Sequence, residues 1–327
     1  MNTKSLIKLA LSILMVGLVL RAVNFDNLRA TFLALSPTTV LLVIIGYTLG
    51  QLLSSTKWWT IAYSGGIKTP YPTALKAYFI GMFLNCFSFG MLGGDAARGI
   101  LIANGQPKKT EGIASVVADR VHGLIVLSCI ALATSAIMGR DRVAPDLIQL
   151  LLLLVVGCTA GWLVGPWLLP KLPFMKSSRL GLKLQQVMGI FPRDLKTVSI
   201  ITGISLVFHL TQISLHALMA AGMGITIPFT TLLLVIPFVN IVCSLPISWN
   251  GLGVREKAYT YFLATAPAIV SYEQAVAFGA IWLLAVTVSS AIGGIVAILS
   301  GDLRGLKAQR ATAAVTLSPE HPTGPQG

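Results

Sequence analysis

The sequence predicts an all-helical, polytopic membrane protein of about eight membrane segments, including two glycine-broken re-entrant hairpins in an inverted repeat. Three observations lead there. First, the chain of 327 residues is 55% hydrophobic and only 11% charged, where a soluble domain carries about 25% charge. Second, apolar runs of membrane-spanning length recur along it, and mean hydropathy is +0.81. Third, basic residues gather in short stretches between the runs, as the positive-inside bias arranges them. That bias accounts for the net charge of +13, and no nucleic-acid partner is expected. Cys86, Cys129, Cys158 and Cys243 lie in apolar segments without a Cys-x-x-Cys pair, so they read as small buried residues.

Lys4 and Lys8 precede an apolar run ending near Leu20. Its length also suits a signal peptide. No small-x-small cleavage site follows, so it reads as a first membrane helix, with residues 21–36 as an outer loop. Residues 38–64 form the second span. Trp58 and Trp59 read as interfacial anchors, and Lys57 and Lys68 mark its cytoplasmic end. Residues 72–102 begin beside Lys68 and Lys76 and end before Lys108 and Lys109. Both ends therefore read as cytoplasmic, which predicts a re-entrant hairpin turning at Gly93 and Gly94.

Residues 112–138 form a span carrying Asp119, Arg120 and His122, and residues 140–146 a short outer loop. The next span, 147–169, has Gly157, Gly161 and Gly165 at four-residue spacing, a face for close helix packing. Residues 171–196 hold six of the 24 basic residues, which places them in the cytoplasm. There Leu180, Leu184, Val187, Met188 and Phe191 share a helical face, with Arg179 and Lys183 among them, predicting a helix on the membrane surface. Residues 198–223 span again, with His209, Gln212 and His216 on one face. Residues 227–268 repeat the hairpin from the other side, broken at 248–253, and 273–299 form the last span. Arg304, Lys307 and Arg310 place that end in the cytoplasm. Both termini are predicted to be cytoplasmic, and the Pro/Gly/Ser/Thr-rich tail is predicted to be disordered. The organisation is thus one membrane domain, 1–300, and a tail, 301–327. Its halves, 38–138 and 198–299, are joined by the basic loop.

The two breaks carry the candidate site. In the first, Asp95 and Arg98 follow Gly93-Gly94 one helical turn apart. A lipid-facing charge at mid-depth costs about 2.5–3.5 kcal/mol, and irregular backbone survives there only under cover of protein or a water-filled cavity. With Ser88 set over Ser248, Leu92 falls on Leu252 and Gly93 on Gly253, and charges follow both: Arg255 and Glu256 in the second. Paired broken segments in corresponding halves point to a transporter's binding site. Asp95 is positioned to cap the helix that follows, whose N-terminus favours a phosphate; the bland reading is a structural turn. Arg98, Arg120 and Arg255 match phosphate with a bidentate fork; the competing reading is internal pairing, Arg120 with Asp95 or Asp119 and Arg255 with Glu256. Asn250, Gly251 and Gly253 make the mirror turn, with Glu256 a counter-ion or a proton-coupling carboxylate. The histidines read as interior hydrogen-bonded residues more than as proton carriers. No metal spacing, Walker loop, nucleophile elbow or dinucleotide fingerprint is present, and no cofactor is expected.

These residues resemble the lysylphosphatidylglycerol synthase transmembrane-region family of flippase-like membrane proteins. Asn85 followed by Gly93-Gly94-Asp95-x-x-Arg98, then Asp119-Arg120, then Pro246-Ile247-Ser248 with Asn250 through Glu256, carry the likeness over about residues 4–301. The resemblance implies a bacterial inner-membrane protein of roughly eight segments. In some members the region is fused to a soluble aminoacyl-transferase. Here 27 residues follow Ser300, so synthase activity is not carried over. The expected function is flippase-like translocation of an anionic phospholipid or lipid-linked intermediate, with membrane lipid as the partner. The alternative is a membrane-embedded enzyme or accessory subunit of lipid or cell-envelope glycolipid synthesis, in which Asp95, Asp119 and Glu256 act on the lipid.

Overall fold

The computed structural model describes residues 24–87, 91–138, 143–168, 171, 178–245, 251–265 and 269–300. Among them every long element is a helix: α1 (Phe25–Ala34), α2 (Pro37–Ser64), α3 (Tyr71–Phe87), α4 (Met91–Ile102), α5 (Lys109–Met138), α6 (Pro145–Leu168), α7 (Arg179–Met188), α8 (Leu195–Gly222), α9 (Phe229–Ser244), α10 (Val254–Tyr259) and α11 (Tyr272–Ser300). A π-helical turn, Thr260–Thr265, extends α10. The first predicted membrane helix, residues 246–250 and the tail lie outside the described residues.

Length separates these helices into two kinds. Five of them, α2, α5, α6, α8 and α11, have 24–30 residues and are apolar enough to cross a membrane. At 1.5 Å per residue each exceeds a hydrocarbon core of about 30 Å. They coincide with the five spans read from the sequence in this region, and the chain is a multi-pass membrane protein. The helices flanking the two breaks are shorter. α3 has 17 residues and α4 12; α9 has 16, and α10 with its π turn continues the chain for a comparable length. None of these reaches across the core alone.

The packing repeats itself. If α2, α3, α4 and α5 are exchanged with α8, α9, α10 and α11, each helix pairing has a counterpart. α3 packs on α11 as α9 packs on α5; α4 on α5 as α10 on α11; α2 on α11 as α8 on α5; and α2 on α8 maps onto itself. α1, α6 and α7 lie outside this set.

Several expectations are corrected. The predicted outer loop 21–36 contains helix α1, because Asn24 Oδ1 accepts from Asp26 N (3.0 Å) and Asn27 N (3.2 Å) and Leu28 packs on the core. Trp58 is no interfacial anchor: it is fully buried and its indole N–H donates to Ser115 Oγ (3.0 Å). The end of α7 is taken by protein, since Val187 and Met188 pack with Ile61, Trp162 and Phe191. Gly157 and Gly161 face open space on α6, and Gly165 alone of the three meets a neighbour, Met188. Of the cysteines, Cys243 is buried, Cys86 and Cys158 are half-buried and Cys129 is exposed.

Candidate functional site

The first broken unit is an antiparallel hairpin. Gly94 of α4 lies against Gly81 and Asn85 of α3, and Arg98 against Gly81. Its base is tied by Thr69 Oγ1, which donates to the Ile102 carbonyl (2.8 Å) and accepts from Gln106 Nε2 (3.1 Å). The expected Gly93–Gly94 turn is corrected: both residues are helical, inside α4, which begins at Met91. Gly94 is there for contact, because a Cβ would collide with the Gly81 carbonyl and with Asn85. On the opposite face Gly99 meets Gly112 of α5, where a Cβ would stand 2.8 Å from the Gly112 carbonyl. α4 is thus clamped between α3 and α5. Asp95, the fifth residue of α4, lies past the position of an N-cap.

Its carboxylate turns sideways into an ion-pair network. Asp95 Oδ1 accepts from Arg98 Nε (3.2 Å) and Asn85 Nδ2 (3.4 Å), while Oδ2 accepts from Arg120 Nη2 (2.9 Å) and Nε (3.1 Å). Asp119 Oδ2 accepts from Arg98 Nη2 (3.1 Å), and Oδ1 lies 2.9 Å from Lys57 Nζ. Lys57 also donates to the Asp119 carbonyl (3.1 Å). The guanidinium of Arg98 sits 4.8 Å from the Trp58 ring centroid and 5.1 Å from that of Tyr78, within cation–π range. Tyr78 in turn hydrogen-bonds Gln51 Oε1 (3.0 Å) and Ser54 Oγ (2.9 Å). Of the three pairings weighed for the arginines, Arg120 takes Asp95.

The second break has different mechanics. Gly251 and Gly253 both hold φ of +77°, the left-handed region that glycine enters without steric cost. Gly253 is the N-cap of α10, and its N–H donates to Glu256 Oε2 (2.7 Å). Glu256 therefore caps its own helix, 7% exposed and packed on Gly279. The expected Arg255–Glu256 pairing is absent: among the described residues no carboxylate lies within ion-pair distance of Arg255, and its Nη1 is buried without a hydrogen-bond partner.

Both units open on one cavity of about 480 Å³. Asn85, Asp95, Arg98, Asp119, Arg120 and Arg255 line it. Gly93, Gly94, Gly251, Gly253 and Glu256 are not among its described lining residues, and Asn250 lies outside the described residues. Among the described residues four basic side chains (Lys57, Arg98, Arg120, Arg255) face two carboxylates (Asp95, Asp119), a net lining charge of two positives. Arg98 and Arg255 each keep a buried Nη1 unpaired. Such a surface is suited to oxyanions, which accept charge-assisted hydrogen bonds from guanidinium.

Sequence reasoning missed Lys57, Tyr78, Gln51 and Asn240 in this lining. Lys57, which the loop charges assign to a cytoplasmic helix end, is 6% exposed and stands two turns before the end of α2 at Ser64. That depth was the available signal, since an ionisable group inside a span marks function or pairing. The histidines divide. His216 is satisfied on both nitrogens, by the Gln212 carbonyl (2.7 Å) and Tyr259 OH (2.6 Å), and lies 3.9 Å from the Trp282 ring. His122 Nε2 meets Thr202 Oγ1 at 3.1 Å. His209 and Gln212 line the cavity.

A family model described as the lysylphosphatidylglycerol synthase TM region matches residues 5–294. No curated protein and no solved structure matches the chain.

Proposed function

Because the chain belongs to the lysylphosphatidylglycerol synthase transmembrane-region family, we propose that it translocates an anionic phospholipid or lipid-linked intermediate across the bacterial inner membrane. The carrying observation is the net-positive cavity between helices of membrane-spanning length, into which both broken units deliver an arginine. A phosphate entering it meets the arginines of its lining, Arg98, Arg120 and Arg255, while acyl chains remain in the bilayer. Asp95 and Asp119 hold Lys57, Arg98 and Arg120 at depth, where an unpaired buried charge is strongly unfavourable.

The exchange symmetry of the helix pairings supports an inverted repeat, with re-entrant units entering from opposite faces. That arrangement suits alternating access, one half rocking against the other around a fixed site. Glu256, engaged with the Gly253 N–H, acts as a helix cap rather than a proton carrier in this scheme. The termini are assigned to the cytoplasm on the loop charges.

The test is leaflet exchange in proteoliposomes holding head-group-labelled phosphatidylglycerol, read by dithionite quenching. Arg255→Gln is the informative variant, because it orphans no carboxylate. Fast exchange in the wild type, lost in Arg255→Gln at unchanged melting temperature, supports translocation. No exchange with any anionic lipid sinks it and turns attention to an enzyme or accessory role, examined by lipid profiling of a deletion strain.

A further inference from the structure

A second hollow lies beside the first. Phe32 and Leu35 of α1, Leu41 and Ile44 of α2, and Ile281 and Leu284 of α11 line a groove of about 470 Å³, whose described lining is apolar throughout. Leu41 is 56% exposed and Leu284 45%, so the groove opens on the surface that meets lipid. Across the α2–α11 contact stands the charged cavity, lined from the same two helices by Tyr47, Trp282, Val286 and Ser290. Leu284 and Val286 are two residues, and so about 200°, apart around α11. One side of that helix faces the groove and the other the cavity.

The contact between the two hollows is lightly tied. The Tyr47 ring meets the Trp282 ring edge-on, centroids 5.3 Å apart. Thr48 Oγ1 donates to the Ile44 carbonyl (2.8 Å) and so accepts from Ser289 Oγ at 2.7 Å. Lys57, the sole charge of α2, is engaged with Asp119, and Glu273, the sole charge of α11, sits at that helix's start. Among the described residues no ion pair crosses this seam, whereas buried ion pairs join α2 to α5 and α4 to α5. Single hydrogen bonds between membrane helices are weak, so α2 and α11 part here without stripping any charge of its partner.

Lipid tails are as apolar as this groove, so the groove alone draws no chain out of the bilayer. A chain tethered to a head group already held in the cavity is different, because the tether supplies it at high local concentration. Resting on the translocation reading above, we propose that the groove is an acyl-chain site and the α2–α11 seam its portal. The head group sits on the arginines of the cavity, and one acyl chain of the same molecule passes between α2 and α11 into the groove. The Tyr47–Trp282 and Thr48–Ser289 contacts are the closed form of this portal and part when a lipid loads.

The test locks the seam. With the four native cysteines replaced by alanine, Thr48→Cys and Ser289→Cys put two thiols where hydroxyl oxygens lie 2.7 Å apart, within reach of a disulfide. Exchange of a short-chain, acyl-labelled phosphatidylglycerol in proteoliposomes is read by albumin extraction, which leaves disulfides intact. Oxidation should abolish exchange in the double variant and dithiothreitol should restore it, while either single variant should ignore the oxidant. Exchange that continues through the formed disulfide overturns the portal. The unmodified chain supplies a second arm, which stands even if the double variant fails to fold. A phosphatidylglycerol with a diazirine in one acyl chain, at trace level in phosphatidylcholine, should label the peptides of Leu41 and Leu284 in the wild type and not in Arg255→Gln. Equal labelling of the two comes from bulk lipid and overturns the acyl-chain site. Absence of exchange in the unmodified chain instead overturns the translocation reading, and the portal with it.

Discussion

Asp119 joins three helices through one carboxylate, receiving Lys57 from α2 and Arg98 from α4 on its own α5 backbone. Removing it leaves two buried cations short of a partner, which costs about 3–5 kcal/mol when a buried pair is broken from one side. Asp119→Asn is accordingly expected to lower thermal stability in detergent sharply. Adding Lys57→Met should recover part of the loss, and a double-mutant cycle measures the coupling. Additive effects would show that Lys57 and Asp119 do not depend on one another. Gly94 offers a second residue-scale test, since a methyl there runs into the Gly81 carbonyl. Gly94→Ala should destabilise by about 1–3 kcal/mol or more, as overpacking does, whereas Gly157→Ala on α6, where nothing stands within 4 Å, should leave the melting temperature unchanged.

At the scale of elements, α10 depends on how its first turn is closed. Glu256→Gln keeps an oxygen for the Gly253 N–H and should preserve both folding and translocation; Glu256→Leu removes it and should damage both. Activity lost in Glu256→Gln at intact stability would instead assign Glu256 a proton-carrying role. α8 is capped at its exposed start by Asp194, whose Oδ1 accepts from Thr197 N at 2.8 Å. Hydrogen bonds from Thr197 hold its carboxyl below the usual range. A depressed folded pKa means stability present above the unfolded value and lost as pH falls through the folded one, so Asp194→Ala should remove part of the acid sensitivity of melting. The long helices were legible in the sequence because hydropathy sums over twenty residues, and the Asp95/Arg98 and Asp119/Arg120 pairs because charge at depth is costly. The first reversal was misplaced because Gly93 and Gly94 suit a turn and a close contact equally well in one dimension. Lys57 was read from its neighbours in the chain, whereas its partner Asp119 lies 62 residues away.

For the whole molecule, the pairing symmetry has an orientation to be tested. In a cysteine-free background, Gln106→Cys at the base of the first hairpin should react with an impermeant maleimide from the cytoplasmic side, and Ser271→Cys at the base of the second from the opposite side. Labelling of both from one side would rule out an inverted repeat. The unequal charge of the cavity, four cations against two carboxylates, bears finally on voltage. An empty site carries two net positives and a site holding a monoanionic phosphate carries one. Moving a unit charge through the full membrane potential is worth about 2.3 kcal/mol per 100 mV. If rocking shifts the site within that field, the unloaded return step carries the larger charge, and a negative-inside potential draws the vacant site towards the cytoplasm. Turnover in proteoliposomes should therefore change with an imposed potassium diffusion potential, and Arg255→Gln, by lowering the charge of the vacant site, should flatten that dependence in whatever activity it retains.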